Sequence, residues 1–359
     1  MECSKLCCVD CFTDATLKLH IKKNSSGKGW CNFCKKKSEH CIEPSELEEL
    51  FVPIVNLYSS IETFMPMEML KEYEGQNLAE KLSEDWEIFT NDFYENVEGI
   101  LHAIFANQDT FEEYGINLDC WVESEDMFMP DEYNPSEKMK IKWNLFSKEI
   151  KNKNRFFPQQ PLDLDFLDGI PILINHIQKN QYLYRARKSL KKQKIAPKNM
   201  GKPPAKKSIA GRANPQGIPY LYLANDRQTA IHEVRPSTTE FVTIGKFKIL
   251  DELQIFDLSN PRISDPFLCG NDLGHTIDLL SFFRLLGYEL SKPIDPKMTS
   301  LEYIPTQYLC EFIKQKGYDG ISYKSTLGTG ENIALFNTKK IKCTRSILFS
   351  IDAQPKKVQ

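Results

Sequence analysis

Gly211-Arg212-Ala213-Asn214-Pro215-Gln216-Gly217-Ile218-Pro219-Tyr220-Leu221-Tyr222-Leu223-Ala224 runs on to Thr229-Ala230-Ile231-His232-Glu233. Gly, Asn and Pro around Arg212 make a turn whose backbone can come close to a phosphate, and a guanidinium there can grip it on two oxygens. The apolar run at 220–224 reads as a short strand carrying Tyr222, and 228–234 reads as a helix carrying Glu233. A guanidinium, an aromatic face and one carboxylate suit an anionic nucleotide whose glycosidic carbon becomes cationic in the transition state. By residue type alone the same trio also reads as an ordinary surface ion pair.

Outward from this segment, strand-like runs recur at 182–187, 241–249, 254–258, 333–336 and 346–351, with further helical patterns at 276–285 and 306–315. Strands and helices that do not alternate predict an α+β fold. Two further motifs flank the first. Upstream lies Leu183-Tyr184-Arg185-Ala186-Arg187. Downstream lie Tyr303-Ile304-Pro305-Thr306-Gln307, then Gly317-Tyr318-Asp319-Gly320-Ile321-Ser322-Tyr323-Lys324-Ser325 and Gly330-Glu331-Asn332. Between the first two motifs, residues 188–207 hold eight Lys, three Pro and no acid, which predicts a mobile basic loop, drawn at 188–210, and no regular element.

In order and spacing these motifs resemble the RES family, over roughly residues 166–350. The resemblance implies an ADP-ribosyltransferase-like fold and a toxin or effector that cleaves NAD, its substrate, at the nicotinamide–ribose bond, as a glycohydrolase or phosphorylase. ADP-ribosyl transfer to a protein or nucleic acid is the alternative it carries, and a non-catalytic partner-binding protein is the second. Carried over residue by residue, Arg212, Glu233 and Ser325 become the expected catalytic residues. Arg185 and Tyr222 become pocket residues, Arg185 and Arg212 clamping the pyrophosphate, with Gln307 and Asn332 as supporting partners. One departure stands out: 27 positions separate Arg185 from Arg212, and the basic loop fills them. The family also implies an antitoxin or other regulatory protein as partner.

The front of the chain reads differently. Cys8-Val9-Asp10-Cys11 and Cys31-Asn32-Phe33-Cys34 are two C-x-x-C knuckles with 19 residues between them. That spacing predicts one tetrahedral, structural zinc site, with Cys7 and Cys41 as alternative ligands and Cys3 spare. So small a module cannot bury a stable core alone, so the metal would supply its folding energy. From 43 the pattern turns helical. Ser45 with Glu48 predicts a capping box ahead of a stripe running to Tyr58 and Ile61, with a kink at Pro53. Leu78, Leu82, Trp86, Phe89, Phe93, Val97, Leu101 and Ile104 predict one long amphipathic helix. The knuckles followed by Glu-Glu-Leu-Phe-Val-Pro-Ile-Val-Asn-Leu-Tyr are similar to the HEPN-like N-terminal domain found fused to longer RES proteins. HEPN nucleases use an Arg-x₄-His pair; residues 43–164 hold one Arg, Arg155, and one His, His102, in the wrong order, so no nuclease chemistry is expected there. Arg227 and His232 have that spacing inside the RES segment and read as coincidence. The expected boundaries are thus a zinc-ribbon-like module of four cysteine ligands at 1–42, an acidic helical domain at 43–165 and a RES domain at 166–352.

Composition bounds the rest. The chain has 359 residues, with 22 Phe, 14 Tyr and 4 Trp, enough apolar mass for a full core, which excludes a wholly disordered chain. No apolar run reaches the ~18–20 residues of a membrane span and the start lacks a signal-peptide pattern, so a cytoplasmic protein is expected. A net charge of −3 hides two blocks: residues 51–140 carry 21 acids against 4 bases, and 141–212 carry 4 against 17. This split raises the expectation that the acidic block docks on and shields the basic one, and that the acidic helical domain restrains the RES domain in cis, in an antitoxin's place, until a trigger opens it. The second idea is to be dropped if removing residues 1–160 leaves NAD turnover unchanged.

Overall fold

The computed structural model describes residues 5–61, 75–90, 96–106, 121–124, 134–189, 192–237, 240–295, 297–350 and 356–357. The chain divides into two compact units, Met1–Asn134 with Ile263–Asp278, and Pro135–Arg262 with Leu279–Gln359. Helices and strands are mixed along the chain, the strand pairing is almost wholly antiparallel, and the fold class is α+β. Among the described residues no helix is long and apolar enough to cross a membrane.

In the first unit, β1 (Cys7–Cys8), β2 (Gly27–Trp30) and β3 (Lys37–Ile42) form a three-stranded antiparallel sheet in the order β1-β3-β2. Helix α1 (Ala15–Asn24) starts where the Asp14 carboxylate accepts the Leu17 N–H at 2.8 Å. Helix α2 (Glu48–Val55) is reached through a 3₁₀ turn at Pro44–Leu47. The capping box there is formed by Glu43 and Glu46, not Ser45 and Glu48, because Pro44 starts the turn one residue after Glu43. Pro53 sits inside α2, which stops two residues later, and Tyr58–Ser60 is a strand, β4. With β5 (Gln76–Asn77) and β6 (Trp121–Ser124) it makes a second small sheet.

The long helix expected from Leu78 to Ile104 is two helices, α3 (Leu78–Asp85) and α4 (Val97–Ile104). Trp86 turns extended, its indole N–H donating to the Tyr58 hydroxyl at 2.9 Å. Phe89 then bridges to Phe12, flanked by main-chain bonds from Thr13 to Ile88 at 2.7 Å and from Thr90 to Cys11 at 3.1 Å. A 3.6-residue period of apolar side chains cannot reveal that their backbone has a better partner elsewhere. Phe93 lies outside the described residues. Phe12, Phe51, Phe89 and Phe267 then form a chain of ring contacts 5.0–6.3 Å apart that ties the cysteine module, α2 and the 263–278 segment into one core.

The second unit is built on a nine-stranded sheet of order β15-β14-β10-β8-β9-β13-β12-β11-β7. Its strands are β7 (Ile174–Ile177), β8 (Tyr182–Ser189), β9 (Leu221–Ala224), β10 (Phe241–Ile249), β11 (Leu253–Asp257), β12 (Gly320–Lys324), β13 (Glu331–Leu335), β14 (Ile341–Ser350) and β15 (Lys356–Lys357). Every described pairing is antiparallel except β11 with β12. The helices are α5 (Pro135–Asn152), α6 (Arg227–Glu233), α7 (Leu273–Ser291), α8 (Thr299–Glu302) and α9 (Ile304–Gln315). Trp143 and Phe146 of α5, Phe282 and Phe283 of α7 and Leu309 of α9 pack with Phe256, Ile321 and Ala334 of the sheet. Each such fully buried large side chain contributes ~1.5–3 kcal/mol of transfer free energy. The opposite face gathers Leu183, Leu223, Phe247, Ile255 and Ile333.

The first two positions of the expected basic loop, Lys188 and Ser189, are the end of β8, because they pair with Val242 and Phe241 of β10. Beyond them the loop has no strand or α-helix among its described residues, only 3₁₀ turns at Pro197–Asn199 and Ala205–Lys207. It is nevertheless fastened: Met200 is wholly buried in that second core, and the Ile195 N–H donates to Thr243 Oγ1 at 3.2 Å. Lysines give the stretch its loop-like composition, while one methionine anchors it.

Candidate functional site

Among the described residues β8 and β9 are paired at a single position, Tyr184 with Ala224. Beside that pair lies a cavity of about 320 Å³, walled by Tyr184, Arg185 and Ala186 of β8 and by Tyr222, Leu223 and Ala224 of β9. Arg212, Glu233, Tyr323 and Asn332 line it too, together with Gly211, Ala230 and Val234, while Ser325 stands behind Glu233 and outside the lining. The register explains the grouping. Tyr222 lies opposite Ala334, Ala224 opposite Asn332, and Asn332 opposite Tyr323, so period-two alternation puts Tyr222, Ala224, Asn332 and Tyr323 on one face.

Glu233 is the last residue of α6 and its side chain stays solvent-accessible. Its Oε1 accepts two hydrogen bonds, from Ser325 Oγ and from Asn332 Nδ2, each at 2.7 Å. Among the described residues Oε2 has no partner. Ser325 Oγ is fixed in turn by the N–H groups of Leu327 (3.2 Å) and Gly328 (3.1 Å). The Asp226 carboxylate caps α6 through the Thr229 N–H at 2.9 Å and takes the Thr229 hydroxyl at 2.6 Å. Thr229 Oγ1 also accepts the Gly330 N–H at 3.1 Å, which joins the helix to the loop bearing Ser325.

The Gly211–Asn214 turn is clasped from both sides. Tyr222 donates its hydroxyl to Asn214 Oδ1 at 2.7 Å and accepts the Ala213 N–H at 3.2 Å. Loss of water raises the Tyr222 phenol pKa, so it stays a donor at neutral pH. Gln307 does not line the cavity; its Nε2 donates to the Gly211 carbonyl at 2.8 Å, while Thr306 Oγ1 donates to the Arg212 carbonyl at 2.6 Å. A Cβ on Gly211 would fall 2.6 Å from both Asn214 Oδ1 and the Tyr222 oxygen, so only glycine fits.

Both expected clamp arginines are engaged by main chain. Arg185 Nη1 donates to the Gly201 carbonyl at 2.9 Å, and Arg212 Nη1 to the Lys292 carbonyl at 2.6 Å. Burial, with help from nearby Arg187, lowers the Arg185 pKa to about 10, still charged at neutral pH. Tyr184 and Tyr323 also line the cavity. They stand inside the Tyr-Arg-Ala-Arg and Tyr-Asp-Gly-Ile-Ser-Tyr motifs, and what puts Tyr323 in the cavity is its pairing with Asn332 across β12 and β13, which the sequence does not show.

Residues 182–352 match the RES domain, and residues 24–163 match HEPN/RES N-terminal domain 1. The chain is a RES-domain protein. Its RES domain contains every cavity-lining residue named above, and a HEPN/RES N-terminal domain precedes it. No curated protein sequence matches this RES-domain protein. A chain of the crystallised MbcT–MbcA toxin–antitoxin complex of M. tuberculosis aligns with 53% of this chain and 95% of its own, at 14% identity and a TM-score of 0.32, too distant a likeness to carry weight.

The RES-domain protein also holds a four-cysteine cluster. The Sγ atoms of Cys8, Cys11, Cys31 and Cys34 all lie within 4.8 Å of one another. Cys8–Cys11 is 3.7 Å, Cys8–Cys34 3.5 Å and Cys11–Cys31 3.5 Å. Tetrahedral Zn–S bonds of about 2.3 Å put sulfurs ~3.8 Å apart, so these residues fit zinc. The hydrogen bonds that Cys11 and Cys8 share with Cys31 push the Cys31 thiol below its usual pKa and those of Cys11 and Cys8 above theirs. Cys7 and Cys41 are buried nearby but outside the cluster, and Cys3 lies outside the described residues.

Proposed function

We propose that this RES-domain protein is a toxin-type enzyme that splits NAD at the nicotinamide–ribose bond, with the 320 Å³ cavity as its active site. The observation that carries this reading is the anchored Glu233 carboxylate on the cavity wall: Oε1 is held by Ser325 and Asn332, and Oε2 has no partner among the described residues. As the C1′–N bond breaks, its electron pair moves onto the pyridinium nitrogen, so nicotinamide leaves neutral and needs no proton. The ribosyl C1′ becomes cationic, and Glu233 stabilises it. Water adds its oxygen to C1′ and gives one proton to Glu233 and then to solvent, leaving ADP-ribose. Phosphate in place of water gives phosphorylated ADP-ribose by the same route. Tyr184, Tyr222 and Tyr323 supply the aromatic walls that keep bulk water from the nascent cation.

The Cys8/Cys11/Cys31/Cys34 cluster holds a structural zinc in this reading, since four sulfur ligands leave no open position for chemistry. A regulatory partner that covers the cavity belongs to it as well, on the strength of the RES family. The test is NAD consumption by the full chain, with and without phosphate, beside Glu233→Gln, with nicotinamide, ADP-ribose and phosphorylated ADP-ribose separated. Loss of NAD with the wild type and not with the variant supports the proposal. A wild type that leaves NAD intact, with macromolecular acceptors also supplied, overturns it.

A further inference from the structure

A second cavity, of about 200 Å³, adjoins the first. Tyr184 lines both. Around the second stand Arg227, Lys246 and Arg345, with Tyr182 and Phe349. Lys246 Nζ lies 3.6 Å above the Tyr182 ring centroid, and Arg227 Cζ lies 5.5 Å from that of Tyr184. Among the described residues no carboxylate lines this cavity, and none of the three cations has an acidic partner. Three like charges gathered in one concavity repel one another, and the arrangement is relieved by an anion bound between them. The rings hold the two nearer cations by cation–π attraction and offer π-faces for a base.

The first cavity lacks such a set. Its arginines spend donors on the carbonyls of Gly201 and Lys292. The nicotinamide riboside end of a dinucleotide, which carries no anionic group, suits that space, and the doubly charged diphosphate suits its neighbour. We propose that the Arg227/Lys246/Arg345 cavity binds the adenosine diphosphate end of the dinucleotide, passing over Tyr184 from the site where Glu233 acts. This assignment rests on the NAD reading of that site. It moves diphosphate recognition from Arg185 and Arg212 to three cations outside the RES motifs, of which Arg227 alone stands out in the sequence, for its spacing to His232.

The test is ADP binding to the full chain by calorimetry, with Lys246→Gln, Arg345→Gln and their double variant, each checked for an unchanged melting temperature. Both side chains stand on β10 and β14 and make no described hydrogen bond with the protein, so folding is not at stake. Each substitution is expected to weaken ADP roughly ten-fold, the usual scale for one charge-assisted bond, and to raise the KM for NAD in step while kcat is held. An ADP affinity unchanged in the double variant overturns the assignment, as does a wild type that cleaves NAD yet does not bind ADP. A wild type that binds ADP in this cation-dependent way but leaves NAD intact keeps the cavity and removes the activity assigned to Glu233.

Discussion

Ser325 donates its hydroxyl to Glu233 Oε1 at 2.7 Å across 92 positions of sequence, and Asn332 reaches the same oxygen. One carboxylate oxygen is thereby fixed and the other left available. Ser325→Ala should retain the fold and lower kcat for NAD cleavage ~10–100-fold, the value of one hydrogen bond to a charged group. Glu233→Gln should fall further, by ~10²–10⁴. Steady-state nicotinamide release separates the two, and equal rates for Ser325→Ala and wild type would deny the hydroxyl a part in positioning Glu233.

The Gly211 turn predicts a stability effect with a shape argument behind it. A methyl at Gly211 meets Asn214 Oδ1 and the Tyr222 hydroxyl at 2.6 Å, so Gly211→Ala should destabilise by ~1–3 kcal/mol. Tyr222→Phe should cost a similar ~1–3 kcal/mol by leaving the buried Asn214 side chain and the Ala213 N–H one partner short. Denaturant unfolding measures both. A double variant less destabilised than the sum is expected, because both lesions strike one contact.

Zinc content gives the third. Purified protein should carry about one zinc per chain by atomic emission, and Cys11→Ser should lose most of it. Cys41→Ser should keep it, since Cys41 lies outside the cluster. A strong chelator should lower the melting temperature of the wild type and leave that of Cys11→Ser in place.

Asp14 sets a pH dependence. Burial, with repulsion from Asp265, pushes its carboxyl up to about 6 while it caps α1. The ordinary value is 3.8, so between about pH 4 and 6 the folded chain holds a proton that the unfolded chain has released. Stability from this group is therefore full below pH 4 and falls as pH rises through 6. Asp14→Asn keeps a cap acceptor and removes the titration. Its melting temperature should exceed that of the wild type at pH 7, and the difference should shrink towards pH 4.

Several elements were legible because local chemistry and tertiary context agree in them. The run at 241–249 is a strand at those bounds, and 306–315 lies within α9. Other elements were hidden. β7 and β12 are short and carry little alternation that a sequence pattern registers; β12 is almost wholly buried, with Gly320 and Ser322 among its five residues. The break between α3 and α4 was hidden because Phe12 captures Phe89 from 77 positions away.

The sequence by itself determined the four sulfurs of the cluster, from local spacing, and the α+β class, from the order of its elements. The motif residues of the cavity were legible only through the resemblance to the RES family, because Arg212, Tyr222 and Glu233 by residue type alone read as a surface ion pair. Tertiary structure alone decided which oxygen of Glu233 is held, that Arg185 and Arg212 bond main chain, and that Arg227, Lys246 and Arg345 share a concavity. Those relations join strands β8, β10 and β14 and helix α6, distant along the chain and adjacent in the sheet, and long-range pairing leaves no periodic trace in the residues it brings together.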